Sequence, residues 1–111
     1  MSSPRDEAES IGGGVYRTLL GYDDKILMAK VWFDGDAVGD VHHHHHSQVS
    51  YVVSGKFEVE VDGHKQVLEA GGCFFVPSMA AHGAVCLEPG VLLDVFSPAR
   101  EDFFGVEAFV S

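Results

Sequence analysis

Residues 41–55 read VHHHHHSQVSYVVSG, a run of five histidines that leads directly into strand-forming residues. Alternate side chains of a β-strand share one face of the sheet. The pattern therefore predicts a shared face for His42, His44, His46 and Gln48. Two imidazoles and an amide oxygen at this spacing can bind one divalent metal ion.

Other interpretations of the histidine run stay open at this point. An expression tag is one of them, but a tag is expected at a terminus or in a linker, and this run lies inside a strand pattern. His43 and His45 would face the opposite side of the strand and are expected to take no part in the site. His46 has the parity of the ligand face, yet its role is ambiguous.

Length and composition describe one acidic globular domain. The 111 residues are 46% hydrophobic, which is enough to bury one core. The net charge of −10, from 17 acidic and 7 basic residues, argues against nucleic acid or an anionic membrane as a partner. No apolar run has the length of a membrane span, and the polar first ten residues are unlike a signal peptide. We therefore expect a soluble cytoplasmic protein, in which Cys73 and Cys86 are buried reduced thiols.

Short apolar or alternating segments recur about every ten residues, with turn residues between them. Besides the histidine strand, the predicted strands are 15–20, 26–33, 57–61, 65–68, 73–76, 81–87 and 91–96. Turns are predicted at Gly55-Lys56, at Asp62-Gly63 and at Glu88-Pro89-Gly90. Residues 1–12 are expected to be a loose lead-in and residues 101–111 a C-terminal arm. This pattern predicts one all-β domain, a sandwich or a small barrel.

A further histidine is needed to complete a metal site. His82 follows a proline-containing turn and opens a predicted strand, so the sheet could bring it opposite His42, His44 and Gln48. His64 lies at the Asp-Gly hairpin and is most simply a solvated turn residue. Three nitrogens and one oxygen with open positions suit a metal that acts as a Lewis acid.

The spacing of these residues resembles the two motifs of the cupin superfamily, Gly-x5-His-x-His-x3-(Glu/Gln)-x6-Gly and Gly-x5-Pro-x-Gly-x2-His-x3-Asn. The first match runs from His42 to Gly55 and the second runs from Gly71 through Pro77 and His82. The chain departs from the motifs at three places, which are Gly35 (one residue too early), Met79 (for the middle glycine) and Cys86 (for the final asparagine). The resemblance implies a single-domain cupin, a double-stranded β-helix or jelly-roll barrel.

The segments 47–55, 82–88 and 94–103 are also similar to the small pectin-degradation cupins called KdgF. This resemblance implies the metal ligands His42, His44, Gln48 and His82. It also implies that Asp94, Phe96 and Arg100 act on the substrate, a 4,5-unsaturated monouronate released by pectin or alginate lyases. The family opens the ring of that sugar to a keto-aldehyde acid. One divalent ion (nickel, zinc, iron or manganese) and a homodimer are further implied.

The residue types at Asp94, Phe96 and Arg100 also indicate roles on physical grounds, apart from the resemblance. Asp94 interrupts an apolar strand, and a buried carboxylate needs either a partner or a raised pKa, which would suit a general acid/base. Phe96 shares its face and could be plain core or a wall for a sugar. Arg100 could be a surface charge, or the bidentate partner of an anionic substrate.

Two rival functions stay open beside uronate ring opening. One is a different metal cupin, either a sugar isomerase or a dioxygenase. The other is a module that binds a uronate without turning it over. A fold alone does not decide among these functions.

Overall fold

The computed structural model describes residues 8–100 and folds them into antiparallel strands. The eight strands are β1 (Glu9–Gly12), β2 (Val15–Tyr22), β3 (Leu27–Phe33), β4 (Val38–His42), β5 (Ser47–Val61), β6 (His64–Glu69), β7 (Cys73–Val76) and β8 (His82–Ser97). No helix occurs within residues 8–100, so this part of the chain contains no helical segment that could cross a membrane. The all-β prediction is confirmed.

Two long strands organise the whole fold. β5 and β8 pair along their lengths, from Ser47↔Ser97 to Val61↔His82. The first half of β5 also pairs with β7 and its second half with β6, while β8 pairs first with β4 and then with β3. Since each long strand takes part in both walls, the two sheets close around one core, as a jelly-roll barrel requires.

The bends in the long strands lie where turns were predicted, so those two turn predictions are wrong. β5 runs through Gly55 and β8 runs through Glu88–Gly90 without ending. Gly55 has a φ of 85°, and a Cβ atom on it would lie 2.6 Å from the carbonyl oxygen of Pro89. Only glycine permits this close crossing, because any side chain would collide with backbone. Turn-forming residues therefore bend the strands here and do not end them.

The inward faces supply the core and the wall of a cavity. Leu27, Ala29 and Val31 of β3 are buried, and the residues between them, Met28 and Lys30, are exposed or half-buried. On β5 the buried hydrophobic residues are Val52, Phe57 and Val59, and the Phe57 ring meets Phe33 edge-on at 5.1 Å. The Asp62-Gly63 hairpin is confirmed: both residues have positive φ, which two-residue hairpin turns favour.

Three other predictions need correction. Residues 9–12 of the expected lead-in form β1 and pair with β2. The histidine stretch is not one strand, because β4 ends at His42 and β5 begins at Ser47. Cys86 is buried as expected, and burial raises the pKa of its thiol, but Cys73 is exposed because it lies on the outward face of β7. The predicted arm, 101–111, lies outside the described residues.

The structure explains two of the departures from the cupin motifs. Asp36 and Met79 occupy the positions where the motifs have glycine, and both adopt positive φ, 67° and 69°. Glycine takes this conformation freely, aspartate tolerates it, and methionine is strained by it. Each turn therefore keeps its geometry without its glycine. Cys86, at the asparagine position, contacts the first of these turns through backbone bonds to Asp36 and Ala37.

Candidate metal centre and active site

Three histidines form one group at the end of the barrel. His42 is the last residue of β4 and pairs in register with His82, the first residue of β8. His44 follows in the 43–46 connection, and its ring centroid lies 4.7 Å from that of His82. Each of the three offers a ring nitrogen, and these nitrogens lie within 4.8 Å of one another. This spacing makes the three histidines a candidate site for one metal ion.

Hydrogen bonds orient two of these rings toward the group. The Nδ1 atom of His44 lies 2.9 Å from the carbonyl oxygen of His46, and Nδ1 of His82 lies 3.0 Å from that of Ala80. A carbonyl oxygen only accepts, so each Nδ1 carries the proton and each Nε2 keeps its lone pair. Nε2 of His44 is buried and has no hydrogen-bond partner among residues 8–100. A buried lone pair of this kind fits a metal ligand.

Burial also keeps these imidazoles neutral. It lowers the pKa of His44 from 6.5 to about 4, with the positive charges of Arg100 and of the other two histidines as further causes. The pKa of His82 is lowered mainly by burial as well. Metal ions bind the neutral ring, so both histidines are ready to bind near neutral pH.

The loop before β8 holds the histidine connection in place. The backbone N–H of Met79 donates to the carbonyl of His44 at 2.7 Å, and the Ser78 hydroxyl donates to that of His45 at 2.6 Å. This loop also leads directly to His82. Two candidate ligands that are distant in sequence, His44 and His82, are therefore positioned by the same pair of loops.

The remaining histidines of the run lie outside the group. His43 and His45 are exposed, in line with their expected role as bystanders. His46 is buried, its carbonyl accepts the hydrogen bond from His44, and its ring meets that of His44 at 5.3 Å. His46 therefore lies against His44 and outside the three-histidine group.

Gln48 and Asp94 are linked by a serine that the sequence reasoning missed. The Nε2 amide of Gln48 donates to the Ser50 hydroxyl at 2.8 Å, and that hydroxyl donates to Oδ1 of Asp94 at 2.6 Å. Gln48 and Ser50 share the inward face of β5, and Ser50 pairs in register with Asp94 on β8. The parity of Ser50 with Gln48 was the available signal.

A cavity of about 300 Å³ opens beside the histidines. Its lining includes six of the seven predicted site residues, all except His44, together with one unpredicted cation, Arg17. The six are His42, Gln48, His82, Asp94, Phe96 and Arg100. The volume is at the lower end of the range for small-molecule sites, which suits a single sugar ring better than an oligosaccharide.

Asp94 is the acidic group of this cavity. Burial raises its pKa from 3.8 to about 6, although the Ser50 hydrogen bond and the charges of Arg100 and Arg17 act in the opposite direction. A carboxyl group with a pKa near 6 exchanges protons readily close to neutral pH.

Arg100 and Phe96 lie together in the lining of the cavity. The Arg100 guanidinium carbon is 5.0 Å from the centroid of the Phe96 ring, a cation–π contact. Phe96 is 3% exposed and belongs to the core as well as to the lining of the cavity, so its core role is confirmed and its role as a wall for a sugar stays a prediction. The segment before Arg100 is fastened by the Ser97 hydroxyl, which donates to the carbonyl of Lys25 at 2.9 Å.

Arg17 is a second cation of the cavity that sequence reasoning missed. It lies on the inward face of β2 with Val15 and Leu19, and its side chain is 15% exposed. It contacts Glu9 of β1 at 3.3 Å. An arginine at an inward position of an apolar strand was the sequence signal for it.

The fold and the site together define a single-domain cupin barrel with a candidate metal centre. The chain belongs to the cupin domain family, whose sequence profile matches residues 31–96.

Within this family the chain is similar to proteins named KdgF. It is 40% identical over 97 residues to the pectin degradation protein KdgF of Dickeya dadantii, covering 86% of this chain and 88% of that one. The structure of KdgF from Halomonas sp. matches with a TM-score of 0.84 at 40% identity, over 86% of this chain and 89% of that chain. An RmlC-like cupin from Shewanella frigidimarina matches with a TM-score of 0.85 at 54% identity, over 91% and 93%.

Proposed function

We propose that this protein is a metal-dependent enzyme of pectin breakdown that opens the ring of 4,5-unsaturated monouronates. One juxtaposition carries the proposal: a three-histidine group, a carboxyl with a pKa of about 6 and an arginine meet at one cavity of sugar size. The similarity to KdgF, a protein named for pectin degradation, supports the choice of substrate.

His42, His44, Gln48 and His82 would hold one divalent ion. Neutral imidazoles and an amide oxygen accept nickel, zinc, iron or manganese, so the donor set alone does not select among them. The bound ion would supply Lewis-acid stabilisation of the negative charge that develops on substrate oxygen. Gln48 contributes no charge, which leaves the ion more electrophilic than a glutamate ligand would.

Asp94 moves the proton in this proposal. The substrate is a cyclic enol ether with a hydroxyl on C1. As ionised carboxylate, Asp94 takes the proton of that hydroxyl while the bond between C1 and the ring oxygen breaks, leaving an aldehyde and an enolate. Asp94 then returns the proton to C4, which gives the 5-keto-4-deoxyuronate. The step is an isomerisation without net gain or loss of atoms, so a single acid/base group is sufficient.

Arg100 and Phe96 would bind the substrate. A guanidinium forms two parallel hydrogen bonds to a carboxylate, and it keeps its charge at every physiological pH. Phe96 gives the sugar ring an apolar surface and, through its 5.0 Å contact, holds Arg100 in place. Whether the uronate comes from pectin or from alginate makes no difference to these contacts.

The cytoplasmic location of the protein stays a prediction.

The test follows the ultraviolet absorbance of the C4–C5 double bond in freshly prepared 4,5-unsaturated galacturonate. Wild-type protein, chelator-stripped protein and the Asp94→Asn variant are compared, with Asp24→Asn, an exposed aspartate, as the matched control. The proposal expects fast decay only for metal-loaded wild type and the control. Binding of the uronate with decay at the spontaneous rate would instead make the protein a uronate-binding module.

We also propose that the protein is a homodimer through the outward face of β3, β8, β5 and β7. Register aligns two rows there: Met28, Val95, Val49 and Phe75, then Lys30, Leu93, Tyr51 and Cys73. Val49, Tyr51 and Phe75 are exposed. None of the eight residues is acidic, although the chain has 17 acidic residues. A second copy can therefore cover this mostly apolar face without repulsion between carboxylates, and two-fold dimers are the commonest assemblies.

Light scattering coupled to size-exclusion chromatography tests the dimer. Wild type is expected at twice the mass of the chain and Val49→Glu at the mass of the single chain. The control Val67→Glu alters an exposed valine on β6, away from the rows, and should remain dimeric. A wild type that elutes as a monomer would refute the dimer and leave the proposed reaction unaffected.

A further inference from the structure

Ser50 occupies a position that links the candidate metal ligands to the candidate acid/base. It is 0% exposed and lies on the inward face of β5, two residues after Gln48 and in register with Asp94. Its hydroxyl accepts a hydrogen bond from Gln48 at 2.8 Å and donates one to Asp94 at 2.6 Å. Both distances are within the normal range for hydrogen bonds, and the bond to Asp94 is the shorter one, as expected when the acceptor is a carboxylate.

The direction of these bonds has a consequence for Gln48. A hydroxyl has a single hydrogen, and Ser50 gives that hydrogen to Asp94, so its oxygen is left to accept from Gln48. The amide nitrogen of Gln48 must therefore face Ser50. The amide oxygen, which is the only atom of this side chain that can bind a metal ion, is then left for the histidine group. Without the serine, nothing in this chain of bonds would favour one orientation of the amide over the other.

The same hydroxyl acts on Asp94. Its hydrogen bond fixes one carboxylate oxygen, so the other oxygen is the one available to the cavity. Arg100 and Arg17 are the positive charges that act on Asp94 from the other elements around the cavity. The two arginines act on Asp94 through their charge, whereas the serine acts through a hydrogen bond to one carboxylate oxygen.

We propose that Ser50 is a positioning residue that orients Gln48 as a metal ligand and Asp94 as a proton carrier. The part that concerns Asp94 rests on the function proposed above. The part that concerns Gln48 depends only on metal binding. Residues that hold metal ligands in this way are typically worth about 10- to 100-fold in metal affinity or activity.

The experiment compares Ser50→Ala with Ser50→Thr, which restores the hydroxyl at the same place. Ser54→Ala is the matched control, because Ser54 lies on the same strand and is exposed. Chelator-treated full-length proteins are titrated with Ni²⁺ in a calorimeter. The metal-loaded proteins are then assayed for kcat and KM on unsaturated galacturonate, and thermal melting of each variant checks folding.

The expected result has two parts. Ser50→Ala binds Ni²⁺ about tenfold more weakly and loses about tenfold or more in kcat, with KM within about twofold of wild type. Ser50→Thr recovers most of both, and Ser54→Ala behaves as wild type. If Ser50→Ala does not fold, Ser50→Cys, which keeps the size and weakens the donor, takes its place in the same comparison.

Two results would overturn the proposal. One is Ni²⁺ affinity and kcat in Ser50→Ala equal to those of Ser54→Ala. The other is a folded Ser50→Thr as defective as Ser50→Ala, because the size of the side chain and not its hydroxyl would then matter. If wild type fails to open the uronate, the proposed function fails. The Ni²⁺ titration then still decides the role of Ser50 toward Gln48.

Discussion

Replacement of Asp94 by asparagine is expected to stabilise the metal-free protein at neutral pH while it abolishes activity. The pKa of this carboxyl is raised from 3.8 to about 6 in the folded protein. The folded state therefore holds the proton more tightly than the unfolded state does. The contribution of the Asp94 carboxyl to the free energy of unfolding is fully present below pH 3.8. It falls as the pH rises and is lost above about pH 6.

The size of the effect follows from the same two values. One pKa unit corresponds to about 1.36 kcal/mol, so a rise from 3.8 to about 6 corresponds to about 3 kcal/mol at most. Asparagine keeps an oxygen that can accept the Ser50 hydrogen bond and carries no charge to desolvate. We expect a gain of about 1–3 kcal/mol in the free energy of unfolding at pH 8, and little or no gain at pH 4.

Urea unfolding of chelator-treated wild type and Asp94→Asn at pH 4, 6 and 8 measures this difference. The metal must be absent, because a nearby cation would itself stabilise the ionised carboxylate. Asp24→Asn, at an exposed position, should change stability little at any of the three pH values. An Asp94→Asn variant that is no more stable than wild type at pH 8, or equally stabilised at pH 4, would refute this reasoning.

Three further predictions concern the bends, the turns and substrate binding. Gly55→Ala should lower the free energy of unfolding in urea by about 1–3 kcal/mol more than Gly63→Ala does. Both glycines have positive φ, but only at Gly55 would a new Cβ atom collide with backbone. Equal losses in the two variants would contradict this. Met79→Gly should raise the free energy of unfolding by up to about 1 kcal/mol, because glycine adopts the positive φ of this position without strain, whereas Met79→Val should lower it. A higher melting temperature for the valine variant than for the glycine variant would refute this prediction. Arg100→Lys should raise KM for the unsaturated uronate about tenfold with a smaller change in kcat, because lysine cannot form two parallel hydrogen bonds to a carboxylate. Lys25→Gln, at an exposed position, is the control. An unchanged KM would exclude Arg100 as the partner of the substrate carboxylate.

Local sequence patterns predicted most strands and singled out the three histidines that lie together in the structure. His42 and His82 meet because each lies at a strand end. The sequence predicted a strand start near His82, but it placed His42 inside a continuous strand. His44 was chosen for a reason that turned out to be incomplete. The strand parity used for it stops at His42, and its position depends on hydrogen bonds from residues 78 and 79, which no local pattern reveals.

The errors have physical causes that can be named. Gly55 and Pro89 are turn formers, but strand pairing on both sides continues through them, so tertiary contacts override the local signal. Ser50 and Arg17 were missed because a small polar residue and a lone cation seemed unremarkable, although both share parity with inward-facing neighbours. Cys73 was expected inside an apolar segment, yet it lies on a face whose apolar residues point outward.

The most direct test of the central claim is a metal add-back titration. Chelator-treated protein receives increasing amounts of Ni²⁺ or Mn²⁺, and loss of the C4–C5 absorbance of unsaturated galacturonate is followed at each step. The site described here predicts that the rate rises linearly and levels off at about one ion per chain with at least one of these metals. A rate that never exceeds spontaneous decay while the ion binds would contradict it, as would an equally fast rate in stripped protein.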